Sequence, residues 1–302
     1  MILVIGGTGT VGSLVLERLS SGGHETRAFV RPRPDRVDPA LPMVEIVHGD
    51  ALDAGALRGA MTGARAVFLC VGNGPMQEAA EMAVVEAATR VRVDRLVKLS
   101  APVFEPDAPV AIAALHGRVE RAIEASGLRY TFLRPYAFMQ NLENQLMPLR
   151  VGVLPTTMRD VAFNIVDARD VAEVAVAALA QDGHANRAYA LTGARAVTYE
   201  EIADALSDLT LRPIRALHKD AGAYAAELTG VGLPPWVAQH IVEIERMAAA
   251  VQQHPTSAVR DILDRPPRAI EKYLPDLAAK LNGGPVRRPS MPPVQFEPRG
   301  AA

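Results

Sequence analysis

Short apolar runs alternate with longer amphipathic stretches through the first half of the chain. The runs predict strands at Ile2–Ile5, Glu25–Val30, Val44–Val47, Ala66–Val71, Arg95–Leu99 and Tyr130–Leu133. Between them, apolar positions recur at helical spacing and predict helices at Gly12–Ser20, Asp53–Met61, Gln77–Val91 and Val110–Ser126. Because strands alternate with helices, the pattern predicts an α/β fold, a doubly wound parallel sheet with helices on both faces.

The second half of the chain is patterned less regularly. Its predicted elements are a strand at Val161–Val166, a helix capped by Asp167, a strand at Tyr189–Leu191, a helix from the capping-box residue Thr198 through Leu206, helical stretches at 219–228 and 235–253, and a last helix opened by Pro266-Pro267. We predict a sheet domain over 1–195, with a pocket-forming insertion near 136–162, and a smaller, mostly helical part over 196–282. The proline-rich tail 283–302 is predicted to be flexible, with an arm that reaches across an oligomer as the open alternative. A homodimer is the possible assembly.

Composition and charge exclude several classes of protein. The chain of 302 residues has 32 basic and 34 acidic residues, and this balance argues against a nucleic acid partner. Cys70 is the single cysteine, which excludes an intramolecular disulfide and indicates a reducing compartment. Met1 leads directly into the first strand without a signal sequence, and no apolar run reaches the length of about 18 residues that spans a membrane. We therefore expect a cytoplasmic protein with no membrane partner, and we predict no metal site.

A glycine-rich segment, Gly6 to Gly12, follows the first strand and opens the first helix. Both G-x-G-x-x-G and G-x-x-G-x-x-G spacings fit it. Glycines permit a tight turn, and the amides at the start of the helix present partial positive charge to a pyrophosphate. The pattern therefore predicts a Rossmann-type, dinucleotide-binding sheet. The predicted phosphate contacts are Gly6, Thr8, Gly9, Thr10, Val11 and Gly12.

The residue that follows the second strand discriminates between dinucleotides. A site for NAD usually has a carboxylate there, which binds the ribose hydroxyls. This chain has Arg31, and a guanidinium binds a 2′-phosphate through charge-assisted hydrogen bonds. Arg36 is a second candidate. Solvated loop arginines are the alternative, and the nearby Asp35 weakens the case for a 2′-phosphate site. We predict NADPH or NADP as the cofactor, with NADH less favoured.

Two further strand ends are predicted to contact the cofactor. Asp50 follows the third strand, where a carboxylate would meet the adenine amino group. Val71 and Gly72 end the fourth strand, where the lack of side-chain bulk would let the backbone approach the cofactor. Plain loop geometry is the alternative for each, but the carboxyl ends of parallel strands are where ligands bind in this type of sheet.

With these residues in place, the chain resembles the NmrA-like group of atypical short-chain dehydrogenases/reductases. This group includes NADPH-dependent quinone, azo-dye and triphenylmethane-dye reductases as well as non-enzymatic redox sensors. The resemblance covers residues 1–281 and is carried by 6–12, 94–101, His116, Glu120, 126–135, 138–141, 166–172 and 230–234. It implies the sheet predicted above, an NADP site and a pocket beside the nicotinamide.

The resemblance also implies positions for the catalytic groups. Most short-chain dehydrogenases use a Tyr-x-x-x-Lys pair, and here the tyrosine position falls on Ile112 and the lysine position on His116, so the usual acid is absent. His116 is predicted to orient the ribose or to donate a proton; at an ordinary pKa near 6.5, about a quarter of it would be protonated at pH 7. Ser100, after the fifth strand, is implied near the nicotinamide or substrate. Packing for His116 and turn formation for Ser100 are the alternatives.

The segment after the sixth strand is implied to form the pocket. Its candidate contacts are Pro135 and Tyr136 for the cofactor and Phe138, Met139, Asn141 and, from further along the chain, Trp236 for the substrate. Core packing is the alternative for the aromatic residues. The region 144–162 lacks the glycine-rich connection expected from the family, so we expect a changed pocket roof.

These observations favour an enzyme. The leading hypothesis is a reductase that passes hydride from NADPH to a small conjugated acceptor, such as a quinone, enone, ketone or imine. Such an acceptor delocalises the developing charge and needs little acid assistance, which suits a site without the tyrosine. The alternative is a non-catalytic sensor of NADP(H). A sugar epimerase or dehydratase is disfavoured because those reactions need the Tyr-Lys pair.

Overall fold

A computed structural model describes residues 1–31, 37–102, 110–250 and 253–283. The strands are β1 (Ile2–Ile5), β2 (Thr26–Val30), β3 (Val44–His48), β4 (Ala66–Leu69), β5 (Arg95–Leu99), β6 (Tyr130–Pro135), β7 (Ala137–Phe138), β8 (Val153–Thr156), β9 (Phe163–Val166), β10 (Arg187–Leu191), β11 (Ala196–Val197) and β12 (Arg215–His218). The helices are α1 (Thr10–Ser21), α2 (Ala54–Met61), α3 (Gln77–Val91), α4 (Ala111–Ala125), α5 (Leu146–Arg150), α6 (Ala168–Ala180), α7 (Tyr199–Thr210), α8 (Ala221–Gly230), α9 (Pro235–Ala250), α10 (Ala258–Leu263) and α11 (Ile270–Leu281), with a 3-10 helix at Met139–Gln145. Within the described ranges, no helix combines the length and apolar character needed to cross a membrane.

Seven parallel strands form the main sheet in the order β10-β6-β5-β4-β1-β2-β3. The direction of winding reverses between β1 and β4, where Ile5 is paired with Leu69. In a doubly wound sheet, a crevice opens at such a switch point beyond the carboxyl ends of the strands. The predicted α/β, Rossmann-type class is confirmed, and the glycine-rich turn after β1 lies at this crevice.

Apolar residues bury both faces of the main sheet. On one face, Leu16 of α1 and Val174 of α6 belong to the same buried cluster as Val4 of β1. On the other face, Leu57 of α2 and Val119 of α4 belong to a second cluster, which also contains residues of α3. Strands that are covered on both sides have no solvent-facing positions, and this explains why the sequence shows continuous apolar runs rather than alternation.

A third apolar cluster lies in the smaller part of the molecule. It combines residues from 139–165 with residues from 197–281. β8 pairs with β12, while β9 pairs with both β7 and β11. Most of the predicted insertion near 136–162 therefore packs with the later residues of the chain. The region 144–162, which lacks the expected glycine-rich connection, forms α5 and β8.

The capping signals predicted in the second half are confirmed, and the start of the last helix is corrected. Thr198 Oγ1 accepts a hydrogen bond from Glu201 N at 3.1 Å, and Glu201 Oε2 accepts one from Thr198 N at 3.0 Å. The prediction that Pro266-Pro267 opens the last helix is wrong, because α11 begins at Ile270. The preceding Arg268 N donates to Asp170 Oδ2 at 2.7 Å, which holds this stretch against α6 instead.

Two buried carboxylates of α6 attach the chain ahead of α11. Arg265 donates to Asp170 at 2.7 Å and also bonds Glu173, while Arg268 lies 3.0 Å from Glu173 and also bonds Asp170. Arg18 of α1 donates to Glu173 at 2.6 Å. Burial by itself would raise the pKa of Glu173, but the hydrogen bond from Arg265 and the charges of Arg268 and Arg265 outweigh it and lower the pKa.

We predict that Glu173→Gln lowers the free energy of unfolding by about 3 kcal/mol at pH 7, because three arginines lose a charged partner in a buried position. The folded pKa lies below the ordinary value of 4.5, so the stabilisation is present above that pH and is lost as the pH falls further. Urea denaturation at pH 7 and in the acid range measures both effects.

Glu271→Gln is the matched control, because Glu271 pairs with Arg195 where both side chains are about half exposed. We expect it to cost less than about 1 kcal/mol. A loss at Glu173 no larger than that of the control would contradict the assignment of the buried cluster as an anchor.

Candidate functional site

The turn after β1 brings bare backbone to the switch point of the sheet. Gly6 has a φ of 89°, and Gly9 N donates to Gly6 O at 3.1 Å, which closes the turn. α1 begins at Thr10 with Gly9 as its N-cap, and Gly9 has no side chain that would satisfy the first amides of the helix. These amides and the positive end of the helix dipole therefore lie at the crevice.

Two glycines of this turn are required by the approach of neighbouring backbone. A Cβ on Gly6 would lie 1.8 Å from the carbonyl oxygen of Cys70, and a Cβ on Gly12 would lie 2.2 Å from the carbonyl oxygen of Gly6. Cys70 itself packs against the first core, and burial, followed by the charge of Glu81, raises the pKa of its thiol to about 12. The turn, the first turn of α1 and the end of β4 thus fit together without side chains between them.

The exposed surface of the turn fits a pyrophosphate. Thr8, Gly9 and Thr10 are exposed, and the first turn of α1 contains no acidic residue that would repel an anion. Val11 is 2% exposed, so only its backbone is available to a ligand. The donors present, backbone amides and threonine hydroxyls, are those that bind phosphate oxygens at a helix start.

The candidates for the adenosine end lie at the ends of the next two strands. Arg31 directly follows β2, which pairs with β1, and it is exposed beside the glycine-rich turn. Asp50 is exposed two residues after β3, and its Oδ1 accepts a hydrogen bond from Leu52 N at 2.9 Å. Arg36 lies outside the described residues.

The end of β4 contacts the smaller part of the molecule. Val71 is half-buried and Gly72 is exposed, and a Cβ on Gly72 would meet open space. The next residue, Asn73, donates from Nδ2 to His240 Nε2 of α9 at 2.8 Å. This hydrogen bond places α9 beside the crevice, where it forms one side of the candidate site.

A buried ion pair lies under the end of β5. Lys98 is fully buried, and its ammonium donates to Glu81 Oε2 of α3 at 2.5 Å, to His116 Nδ1 of α4 at 3.0 Å and to Leu99 O at 3.2 Å. Gln77 Nε2 donates to Glu81 Oε1 at 3.1 Å. The charges of Lys98 and Glu81 therefore compensate each other, and hydrogen bonds replace the water that both ions lose on burial.

His116 is a neutral imidazole in this setting. The residue is 5% exposed, and burial, followed by the charges of Lys98 and His240, lowers its pKa well below the ordinary value. The expectation that a quarter of His116 is protonated at pH 7 is therefore wrong, because it assumed an imidazole in water. Since an ammonium only donates hydrogen bonds, Nδ1 accepts and the ring proton is on Nε2.

A second buried polar group follows β5. Ser100 Oγ donates to Glu120 Oε1 at 2.6 Å, and Glu120 holds Arg134 of β6 through two hydrogen bonds of 3.1 and 2.5 Å. The hydroxyl hydrogen of Ser100 is thus directed at Glu120, which leaves the oxygen lone pairs to accept. One turn before His116, Ile112 occupies the tyrosine position and offers no hydroxyl.

Residues after β6 begin the candidate pocket. Pro135 is buried at the end of β6, and Tyr136 N donates to Leu191 O of β10 at 3.0 Å. The Tyr136 side chain is half-buried, and burial raises the pKa of its hydroxyl. Phe138 is half-buried and packs against the first core.

The remaining substrate candidates differ in exposure. Met139 is 1% exposed and belongs to the core of the smaller part, so we correct its assignment: almost none of its surface is left to contact a substrate. Asn141 is exposed on the 3-10 helix. Trp236 is 42% exposed at the start of α9, one helical turn before His240 and hence on the same face of that helix.

Four polar residues of this region were not found from the sequence: Glu81, Lys98, Asn73 and His240. A signal for Lys98 was present, because a lysine inside the apolar run Leu96-Val97-Lys98-Leu99 breaks the pattern, and a fully buried lysine requires a partner. The other three gave no comparable signal. Their partners lie far away in the sequence and are brought together only by the fold.

Comparisons with known proteins agree with this geometry. A family model described as NAD(P)H-binding matches residues 6–182. The chain is 38% identical over 275 residues to a (4-alkanoyl-5-oxo-2,5-dihydrofuran-3-yl)methyl phosphate reductase from Streptomyces griseus. This match covers 90% of the present chain and 96% of that reductase. It is 32% identical over 269 residues to an NAD(P)H azoreductase from Xenophilus azovorans. This match covers 89% of the present chain and 92% of the azoreductase.

A solved structure shares the fold over nearly the whole length. The NADPH-dependent quinone oxidoreductase from Escherichia coli, complexed with NADPH, superposes with a TM-score of 0.84 at 22% identity, covering 92% of this chain and 99% of that one. The family match spans more than half of the present chain, and both relatives match it almost end to end. The chain therefore belongs to the NAD(P)H-binding family and, within it, to the NmrA-like atypical short-chain dehydrogenases/reductases.

Proposed function

We propose that this protein is a reductase that transfers hydride from NADPH to a small conjugated acceptor. The observation that carries the proposal is the position of the glycine-rich turn at the switch point of the sheet, at the same edge as Ser100 and the buried His116. In doubly wound sheets, cofactor and substrate meet at this edge. The named relatives are reductases, which supports an enzyme over a non-catalytic sensor.

The cofactor is NADPH/NADP, and we propose contacts for each of its parts. The amides of the glycine-rich turn would bind the pyrophosphate, Arg31 the 2′-phosphate and Asp50 the adenine. Val71 and Gly72 would lie along the nicotinamide half, since the space above Gly72 is open. When bound, NADPH supplies a hydride, and the acceptor gains a proton as its double bond is reduced.

The acceptor is proposed to contain an electron-poor, conjugated double bond. The Streptomyces griseus relative is named for a dihydrofuran ring whose double bond is conjugated to two carbonyl groups, and the other relative is named for azo reduction. Both acceptors spread the charge left by hydride addition over several atoms. Ile112 fits this chemistry, because a site without a tyrosine acid favours acceptors that need little protonation in the transition state.

Two polar groups are proposed to contact the ligands. His116 would donate from Nε2 to a hydroxyl or carbonyl oxygen, which its neutral tautomer supports. Ser100 would accept a hydrogen bond, for example from the carboxamide of the nicotinamide, because its own hydrogen is used by Glu120. Neither role requires either group to carry a charge.

The proposed pocket lies between the residues after β6 and α9. Pro135 and Tyr136 would contact the cofactor, while Phe138, Asn141 and Trp236 would contact the acceptor. Flat aromatic surfaces such as Trp236 suit conjugated ligands. We propose that residues 1–195 serve as the cofactor part and residues 196–282 as the substrate part. Within the first range, residues from 139–165 pack into the core of the second part.

The location, the partner and the assembly of the protein are also proposed. A single cysteine supports a reducing, cytoplasmic location, and a net charge of −2 supports a small molecule rather than nucleic acid as the partner. A homodimer is proposed as the assembly, which size-exclusion chromatography with light scattering would test.

The experiment that tests the proposed activity is NADPH oxidation with a panel of quinones, azo dyes, enones and butenolides. We expect turnover with conjugated acceptors and little with isolated ketones. Tight binding of NADPH without oxidation by any acceptor would instead identify a sensor.

We predict that Arg31→Ala raises the Kd for NADPH by roughly tenfold to a hundredfold, the value of one charge-assisted contact. The Kd for NADH should change by less than about threefold, because NADH has no 2′-phosphate. Calorimetric titration of both nucleotides measures this. The control is Arg58→Ala, an exposed arginine on α2. Equal losses for NADPH and NADH would show that Arg31 does not bind the phosphate.

We predict that His116→Ala lowers kcat by about a hundredfold while changing the Kd for NADPH by less than about threefold, as expected when a hydrogen bond to the reacting system is lost. Stopped-flow kinetics with the best acceptor from the panel measures kcat. His24→Ala is the control, since His24 is a histidine ahead of β2, at the opposite edge of the sheet. An unchanged kcat would leave His116 with a packing role.

A further inference from the structure

The contacts of Lys98 account for every hydrogen on its ammonium group. An ammonium has three donors and no acceptor, and those of Lys98 are directed at Glu81 Oε2, His116 Nδ1 and Leu99 O, at 2.5, 3.0 and 3.2 Å. The side chains of Lys98 and Glu81 are both 0% exposed, so water does not compete for these positions. The donor count leaves one arrangement for the imidazole: Nδ1 accepts, and the proton is on Nε2.

Glu81 stabilises the ammonium group of Lys98 in the position from which it donates to His116. A buried ammonium without a counter-charge is costly, and the Glu81 carboxylate at 2.5 Å compensates the charge of Lys98. Gln77 donates to the second oxygen of Glu81 and so orients the carboxylate toward Lys98. The chain of contacts therefore runs from α3 through β5 to α4, and His116 lies at its end nearest the crevice.

The ionisable groups around His116 come from five elements, and their charges are balanced. They are Glu81 on α3, Lys98 on β5, Glu120 on α4 with its partner Arg134 on β6, and His240 on α9, with Cys70 beyond the end of β4. Glu120 is bound to Arg134 and Ser100. Lys98 is thus the group that determines which nitrogen of His116 carries the proton.

We propose that Lys98, held by Glu81, is a positioning residue that fixes His116 as the neutral Nε2–H tautomer and presents that N–H to an oxygen of the bound ligand. Lys98 does not touch the ligand in this scheme, because its three hydrogens are already used. The kinetic part of this proposal rests on the proposed reductase function. The tautomer itself is a property of the protein without any ligand.

The direct test is nitrogen NMR of the histidine rings in the uniformly 15N-labelled full-length protein. In the wild type we expect His116 to show an unprotonated Nδ1 and a protonated Nε2, and to titrate only well below the pH at which an exposed histidine does, because burial lowers its pKa. The spectrum of His116→Ala assigns its signals. A protonated Nδ1 in the wild type would overturn the proposal.

Lys98→Met removes the donor and leaves the Glu81 carboxylate beside the imidazole. We expect the ring of His116 to titrate at a higher pH in this variant than in the wild type, because the remaining negative charge favours the imidazolium. If the lone buried carboxylate prevents folding, the double variant Glu81→Gln with Lys98→Met has no buried charge and is used instead. In the double variant we expect a mixture of the two neutral tautomers. Retention of the wild-type tautomer without titration in the variant that folds would overturn the proposal.

Arg118→Met is the matched control. Arg118 pairs with Glu78 at 2.7 Å and thereby also links α4 to α3, but its side chain is about half exposed and it does not contact His116. We expect this variant to leave the ring signals unchanged. A shift of the His116 signals equal to that in Lys98→Met would show that the link between the helices, rather than Lys98 itself, controls the ring.

Kinetics supplies the second readout. With an accepted acceptor, Lys98→Met is expected to lower kcat at pH 7 by roughly tenfold, because the neutral ring can then carry its proton on Nδ1 instead of Nε2. We expect kcat of this variant to rise toward acid pH, where the imidazolium again has a hydrogen on Nε2, with KM changed by less than about threefold. In Arg118→Met, kcat should not change toward acid pH. If kcat of Lys98→Met showed the same dependence on pH as kcat of Arg118→Met, the kinetic role of Lys98 would be overturned. If no acceptor supports turnover in the wild type, the proposed function fails, whereas the NMR result still decides the positioning role.

Discussion

The close contact between the backbone of Gly6 and that of Gly12 and Cys70 is the constraint on which the candidate site depends. Added Cβ atoms would lie 1.8 and 2.2 Å from carbonyl oxygens, distances that exclude any side chain at Gly6 and Gly12. Because the chain turns this tightly, α1 starts directly at the switch point of the sheet with its first amides uncapped. The phosphate site that we propose lies at this turn, which would also set the direction of a bound dinucleotide.

The chemistry at the other half of the crevice depends on burial and charge balance. Lys98 and Glu81 compensate each other, as do Arg134 and Glu120, so α3, α4, β5 and β6 carry polar groups in the interior without a net charge. Burial, followed by the charge of Lys98, lowers the pKa of His116, and the hydrogen of Ser100 is directed at Glu120. A site of this kind positions and polarises its ligands but offers no strong acid, which agrees with acceptors that delocalise charge.

Much of this could be predicted from the sequence, because the main sheet is encoded locally. The continuous apolar runs of β1 and β4 and the glycine spacing identify the Rossmann-type sheet and the tight glycine-rich turn that follows β1. The C-terminal part was harder, since α11 begins at Ile270 through a contact between Arg268 and Asp170 that lies far apart in the chain. Glu81 and His240 were not predicted because their partners also lie far away in the sequence. Met139 was predicted to line the pocket, whereas it is buried by residues after 197.

The resemblance predicted the family correctly, whereas the ordinary pKa that we assumed for His116 does not hold, because burial, followed by the charge of Lys98, lowers it. We propose that the glycine-rich turn binds a dinucleotide carrying a 2′-phosphate. Calorimetric titration of the folded wild-type protein with NADPH and with NADH measures this directly. We expect saturable binding of one NADPH per chain and weaker binding of NADH. An absence of binding by either nucleotide to folded protein would contradict it.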